Sequence, residues 1–295
     1  MTRRLLAVHA HPDDESSKGA ATYAHYSSIG VDVMVVSCTG GERGDIQNEA
    51  LSARAMADRD MGGLRRYEMT NAQEIIGCQH RWLGYHDSGL PEEGEAVPAN
   101  SFAVIPLEHS AVPLVKIIRE FRPQVVHTYD ESGGYPHPDH IRTHELTVYA
   151  IEAAADPARY PEAGEPWTVS KVYYDRIFNA DRLNAVYDRM LETEPGSERS
   201  VQMAELKEWM SSRPAKATTA TTHVDCGEFF DTRDNALRAH ASQVPPDSRF
   251  FFWPNELQRE VWPFEDYELA RSLVETSLPE SDLFAGIPET EEAPA

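Results

Sequence analysis

The apolar positions in the first half of the chain fall into short continuous runs separated by longer stretches with helical spacing. "RLLAVHA" (4–10), "VDVMVVSCT" (31–39) and "PQVVHTY" (123–129) are nearly unbroken apolar segments. That is the pattern of strands covered on both faces, where alternation disappears because neither side meets water. "RWLGYHDSG" (81–89) predicts a further short strand that runs into a loop.

Helical spacing and terminal signals predict a helix over 16–30, with Ser16 or Ser17 near its cap and Gly30 just past its end. They predict others over 48–77, broken at Gly62 and Gly63, and over 107–121, where Leu114, Ile118 and Phe121 share a face. A last one runs from Pro138 to about Ala155. Residues 40–45, 93–106 and 130–140 read as loops, with 93–106 exposed. Strands alternating with helices predict an α/β fold, a Rossmann-like and mostly parallel sheet with helices on both faces.

The second half is less regular and predicts a smaller C-terminal α+β elaboration. "KVYYD" (171–175) and "TATTHV" (219–224) read as strands, with helices near 180–195, 199–211 and 228–241. "RFFFWP" (249–254) reads as an aromatic, partly buried segment. The closing "PETEEAPA" is acidic and proline-bearing, the composition of a frayed end.

Composition narrows the classes. Of 295 residues, 41% are hydrophobic, enough for a large core, and the net charge of −22 disfavours nucleic acid or an anionic membrane as partner. The three cysteines have no CxxC spacing, so neither a disulfide framework nor a thiolate zinc knuckle follows. The N-terminal apolar run is too short for a signal peptide, and no segment approaches a membrane span. A cytoplasmic protein is expected.

The chemistry concentrates where parallel sheets place their sites, after the carboxyl ends of strands. "HAHPDDE" follows the first strand, "TGGERGD" the second and "YDESGGYPHPDH" the fourth. The first cluster has no GxGxxG, and its three acidic groups would repel a pyrophosphate, so it is not a dinucleotide site. Histidine with carboxylate suits zinc or another first-row divalent cation. His11 and Asp14 stand three apart across a turn. Pro138 suits a first helical position, which sets His137 and His140 about one turn apart. His11, Asp14 and one of the two later histidines make three ligands with a position left for water, and spacing does not choose between His137 and His140. Taken singly, each motif commonly ends as a helix cap; together, after two strands expected to be neighbours, they predict a metal site. The remaining histidines, His9 and His240 among them, are expected to be packing or surface residues.

"AHPDDE" with "HPDH" about 125 residues later resembles the PIG-L/LmbE-like zinc deacetylases, which hydrolyse amides on amino sugars. "HAHPDDESSKGAAT", "TGGERGDI", "GGYPHPDHIRTHE" and "ALRAHASQ" are most similar to the branch that cleaves the amide between a cysteine S-conjugate and glucosaminyl-inositol. The resemblance implies His11, Asp14 and His140 as metal ligands, Asp13 as general base and a protonated His137 as second catalytic group. It implies Tyr135 at the carbonyl oxygen, Asp139 as a support behind the histidines, and Lys18, Glu42, Arg65 and Asp87 as substrate contacts. The cofactor implied is Zn2+, with Fe2+ accepted by the same donor set. The partner implied is a small-molecule thiol–sugar conjugate, attacked by a metal-activated water to give a mercapturic acid and the amino-sugar inositol. Oligomeric state is left open.

Two alternatives stand beside this: the N-acetylglucosaminyl-inositol deacetylase that makes the sugar precursor, and a catalytically silent metal- or sugar-binding protein. The expected organisation is a metal-binding catalytic core over 1–160, a part completing the sheet and substrate pocket over 161–287, and a disordered tail over 288–295.

Overall fold

The protein is described by a computed structural model covering residues 2–92, 94–177, 179–211, 220–251 and 254–288. Seven strands form one sheet: β1 (Arg4–His9), β2 (Asp32–Thr39), β3 (Gln79–Tyr85), β4 (Val125–Thr128), β5 (Lys171–Asp175), β6 (Thr222–Asp225) and β7 (Phe264–Ser272). Their order is β3-β2-β1-β4-β5-β7-β6. The first five run parallel, and β7 lies antiparallel between β5 and β6.

The strands are buried on both sides, which is why they read as unbroken apolar runs. Leu5 and Ala7 of β1 face the helices Ala20–Ser28, Met61–Ile76 and Phe230–Ala239, packing with Tyr23, Met69, Ala72 and Ala236. Leu6 and Val8 face the other way, onto Leu114, Val115 and Ile118 of the helix Val112–Phe121 and Leu146, Ala150 and Ile151 of Pro138–Ala155. Full burial stabilises each large aliphatic side chain by roughly 1.5–3 kcal/mol.

This topology positions the site. β1 pairs with β2 on one side and β4 on the other, so the chain leaves β1 and β4 in opposite directions and a crevice opens above their carboxyl ends. The predicted neighbourhood of the first and fourth strands is therefore observed, as is the helix from Pro138 to Ala155.

Several elements differ from expectation. The first helix begins at Asp14 and not at Ser16 or Ser17, then breaks at Gly19, where a Cβ would meet the Tyr23 ring at 2.4 Å. The long helix over 48–77 is two, Arg54–Arg59 and Met61–Ile76, and the break is at Asp60, whose side chain accepts from Gly63 N. Residues 93–106 are not wholly exposed: Ser101 and Phe102 are buried. The helix over 107–121 is divided at Ala111, just ahead of Pro113. Among the elements not foreseen are the helix Asn255–Val261 and β7.

Of the aromatic segment 249–254, Phe250 is exposed, and Phe252 and Trp253 lie outside the described residues. So do 289–295 of the expected tail; just before it, Leu283 and Phe284 are buried in the core. No helix among the described residues is long and apolar enough to cross a membrane.

Candidate metal centre

The loop after β1 carries His11 and Asp13 and runs into the helix that begins at Asp14, and the loop after β4 ends at His137, the cap of the helix that carries Asp139 and His140. The β1–β4 pairing brings them together. His11, Asp14 and His140, all buried, present ligand atoms within 4.8 Å of one another. His140 Nε2 lies 3.3 Å and His11 Nδ1 3.6 Å from Asp14 Oδ2.

The other nitrogen of each ring fixes its tautomer. His140 Nδ1 donates to the Gly133 carbonyl at 3.0 Å, so in the neutral ring Nε2 is a bare acceptor. That atom is buried, has no hydrogen-bond partner and faces a carboxylate oxygen that is also an acceptor. Either a second proton or a metal cation resolves the contact, and a divalent ion suits a set of two imidazoles and one carboxylate. His11 Nε2 lies 3.2 Å from Asp139 Oδ2, which leaves Nδ1 for the centre. Asp139 is held in turn by the Ser88 amide at 2.9 Å and by the Ser88 hydroxyl. A ligand histidine oriented by an anchored carboxylate is the usual support of such centres. The residues therefore fit a metal.

Charge tells the same story. Burial alone would lower His11, but the carboxylates of Asp139, Asp14 and Asp87 outweigh it and hold the ring well above the ordinary histidine value. Asp14 goes the other way: burial opposes its charge, and the imidazole of His140 and the ammonium of Lys18 bring it well below the usual carboxylate range. The pocket is a nest of anions that calls for positive charge.

Gly133 has φ +71°, and a Cβ there would meet His140 Cβ at 2.6 Å; the loop delivering His140 needs glycine at this point. Asp13 has φ +101° and is not a glycine. Such a conformation costs roughly 1–3 kcal/mol and persists when surroundings dictate it. Here Arg65, itself buried, donates from Nη2 to Asp13 Oδ2 at 3.0 Å and to the Pro12 carbonyl at 2.5 Å, and from Nη1 to the Gly41 carbonyl at 3.0 Å. Burial raises the Asp13 carboxyl above its ordinary value against the pull of Arg65.

His137 caps the helix through Nδ1, which accepts from Asp139 N at 3.1 Å. Burial, with the His11 and His140 rings beside it, lowers His137 to about 4. With Nδ1 accepting, the neutral ring carries its proton at Nε2. Tyr135 is 41% exposed, and its ring stands edge-on to His140 with centroids 4.5 Å apart.

The four expected substrate contacts divide. Glu42 is half-buried, and its Oε2 accepts from Asp87 N at 3.1 Å. Asp87 is buried, bonded to the Arg43 and Gly89 amides and 3.6 Å from His11 Nε2. Lys18 is paired with Asp14 Oδ1 at 2.5 Å, so it leans on a ligand carboxylate. Arg65 is buried and turns Nη1 and Nη2 to Asp13 and two loop carbonyls.

Two participants were missed. Tyr129, fully buried at the end of β4, stacks on His140 with centroids 4.5 Å apart and takes the Ala10 amide on its hydroxyl at 2.9 Å. His240, set aside as packing, bonds Glu15 at 2.7 Å across 225 residues of sequence. Tyr129 opens the cluster after the fourth strand, and His240 lies in the quoted "ALRAHASQ", but nothing local there points to Glu15 as its partner.

Comparison with known proteins agrees with the fold. Residues 6–151 match the family model PIG-L, GlcNAc-PI de-N-acetylase. The chain is 54% identical to mycothiol S-conjugate amidase of Streptomyces coelicolor, over 96% of this chain and 97% of that protein. It is 40% identical to 1D-myo-inositol 2-acetamido-2-deoxy-alpha-D-glucopyranoside deacetylase of Streptomyces griseus, over 97% of this chain and 89% of that one. The crystal structure of N,N'-diacetylchitobiose deacetylase from Pyrococcus horikoshii superposes with a TM-score of 0.60 at 20% identity, covering 90% of this chain and 83% of that one.

Proposed function

This chain belongs to the GlcNAc-PI de-N-acetylase (PIG-L) family and is a hydrolase of amide carbon–nitrogen bonds, and on that premise we propose that it cleaves the amide of mycothiol S-conjugates. The products are a mercapturic acid and glucosaminyl-inositol. The observation that carries the substrate is the difference between 54% identity to the amidase and 40% to the deacetylase at nearly equal coverage.

His11, Asp14 and His140 would hold the metal, and their donor set suits zinc or ferrous iron. When bound it lowers the pKa of a water molecule and polarises the amide carbonyl. The rest is done by the chain. Asp13, its carboxyl raised by burial and oriented by Arg65, takes the proton from the attacking water. Neutral His137 donates from Nε2 to the developing substrate oxyanion, and Tyr135, at the open side of the pocket, donates its hydroxyl to the same oxygen. The departing amine is protonated by return of the proton from Asp13. Asp139 holds the His11 ring in the one orientation that leaves Nδ1 free. Glu42 and Asp87, joined by a hydrogen bond beside the centre, accept sugar hydroxyls.

The test is a comparison of kcat/KM on a bimane-tagged mycothiol conjugate and on the N-acetylglucosaminyl-inositol, with products identified by mass spectrometry. The conjugate should be favoured by at least about tenfold, or roughly 1.4 kcal/mol of transition-state discrimination. The reverse ratio assigns the chain to the biosynthetic deacetylation, the reading that its 40% identity to that enzyme keeps in view.

A further inference from the structure

From the geometry around Asp13 we infer that His240 is a positioning residue for the catalytic base, acting through Glu15; this rests on the reading of Asp13 as that base. Asp13 is held at two points. Its side chain is taken by Arg65, as described. Its backbone N–H donates to Glu15 Oε2 at 2.9 Å, which turns the amide of the left-handed residue toward the protein interior. The second oxygen of Glu15, Oε1, lies 2.7 Å from His240 Nε2 and accepts from the Ser16 hydroxyl at 2.5 Å. Glu15 and His240 are both fully buried, where losing either partner is costly.

His240 does not hang alone. It ends the helix Phe230–Ala239, and the residues after it are fastened to the elements that hold Asp13 from the other side. Ser242 gives its amide to Glu68 Oε1 and its hydroxyl to Glu68 Oε2, each at 2.7 Å. Glu68 stands on the helix Met61–Ile76, one turn on from Arg65. The Ser242 carbonyl takes Gln47 N at 3.0 Å, and the Ala241 carbonyl takes Asn48 Nδ2 at 2.9 Å, so the loop after β2 is tied to the same segment. A closed ring results: Asp13 to Arg65, along the helix to Glu68, across to Ser242, back to His240, and through Glu15 to Asp13. The ring sets both the peptide plane and the carboxylate of one strained residue. His240 touches neither metal ligand nor substrate; its effect is on where Asp13 Oδ atoms stand, and small displacements of a reacting group lower rates steeply.

The test uses the full-length, metal-loaded protein with His240→Phe, which keeps a ring and removes the donor, and His240→Gln, which restores an N–H near the position of Nε2. His240→Phe should lower kcat about 10- to 100-fold with KM and bound metal unchanged, and His240→Gln should recover most of it. Independently of turnover, amide hydrogen exchange over residues 11–18 should quicken at Asp13 in the Phe variant and return toward the parent rate in the Gln variant. Should His240→Phe fail to fold, Glu15→Gln, which keeps the volume and sets one amide NH2 against a donor, carries the same expectations. Unchanged exchange at Asp13, or a fall in kcat matched by metal loss and not relieved by Gln, overturns the inference. A parent protein that leaves the amide uncleaved overturns the functional reading instead, and the exchange measurement still decides the role of His240.

Discussion

Two of the buried polar clusters on the sheet are built on opposite plans. At the β5–β7–β6 end, the Lys171 ammonium donates to Glu280 Oε2 at 2.6 Å and to the Ala285 carbonyl at 3.0 Å. Glu280 Oε1 accepts from Tyr173 at 3.0 Å and Thr222 at 3.4 Å. No member is left without a partner. Above β1 and β4 the reverse holds: His140 Nε2 has no partner, Asp13 sits in a strained conformation, and several carboxylates crowd two imidazoles. Buried groups that satisfy one another stabilise; an unpartnered imidazole nitrogen beside a carboxylate and a second imidazole, as at His140, suits a cation.

The comparison breaks most decisively at the ligands. His140→Ala should abolish both bound metal, read by elemental analysis, and turnover. Asp13→Asn should keep the metal and lose about 10²- to 10⁴-fold in kcat. If Asp13→Asn turned over normally, the base would lie elsewhere.

The satisfied cluster should answer in stability alone. Lys171→Met leaves Glu280 buried without its cation and should cost about 3–5 kcal/mol in denaturant unfolding. The surviving folded protein should keep the parent kcat and metal content; a selective loss of activity would erase the distinction drawn here.

The smallest expected effect is a pH shift. Asp13 is raised above its ordinary 3.8 by burial, while Arg65 pulls it down. A base is inactive when protonated, so activity falls as pH drops through the raised value. Arg65→Gln removes the opposing charge, so Asp13 rises further and the acid limb of kcat/KM moves to higher pH. Movement to lower pH would show that another group controls the limb.

Much of this was legible in the sequence for a physical reason. β1, β2 and β4 are covered on both faces, so they could be written only with apolar residues, and the ligand motifs had to follow them. β7 was not legible, because its buried positions include Glu265 and Asp266. Glu265 takes the Thr22 amide, and Asp266 takes His223, Asn179 and Trp262, partners scattered from one end of the chain to the other. A strand whose charges are neutralised by distant residues looks like a surface segment when read locally. His240 was overlooked on the same ground, since its role depends on Glu15 at the far end of the chain. Spacing left His137 and His140 open, and the difference between them is three-dimensional: His137 Nδ1 receives the Asp139 amide, whereas His140 Nε2 lies 3.3 Å from Asp14, although each histidine can join His11 in a metal-binding set.

The left-handed backbone of Asp13 has an evolutionary corollary. Glycine would sit there in comfort and would remove a carboxyl group from a buried place, so selection for heat tolerance by itself favours a replacement that deletes the proposed base. Laboratory evolution toward a hardier protein would therefore have to screen turnover at every round.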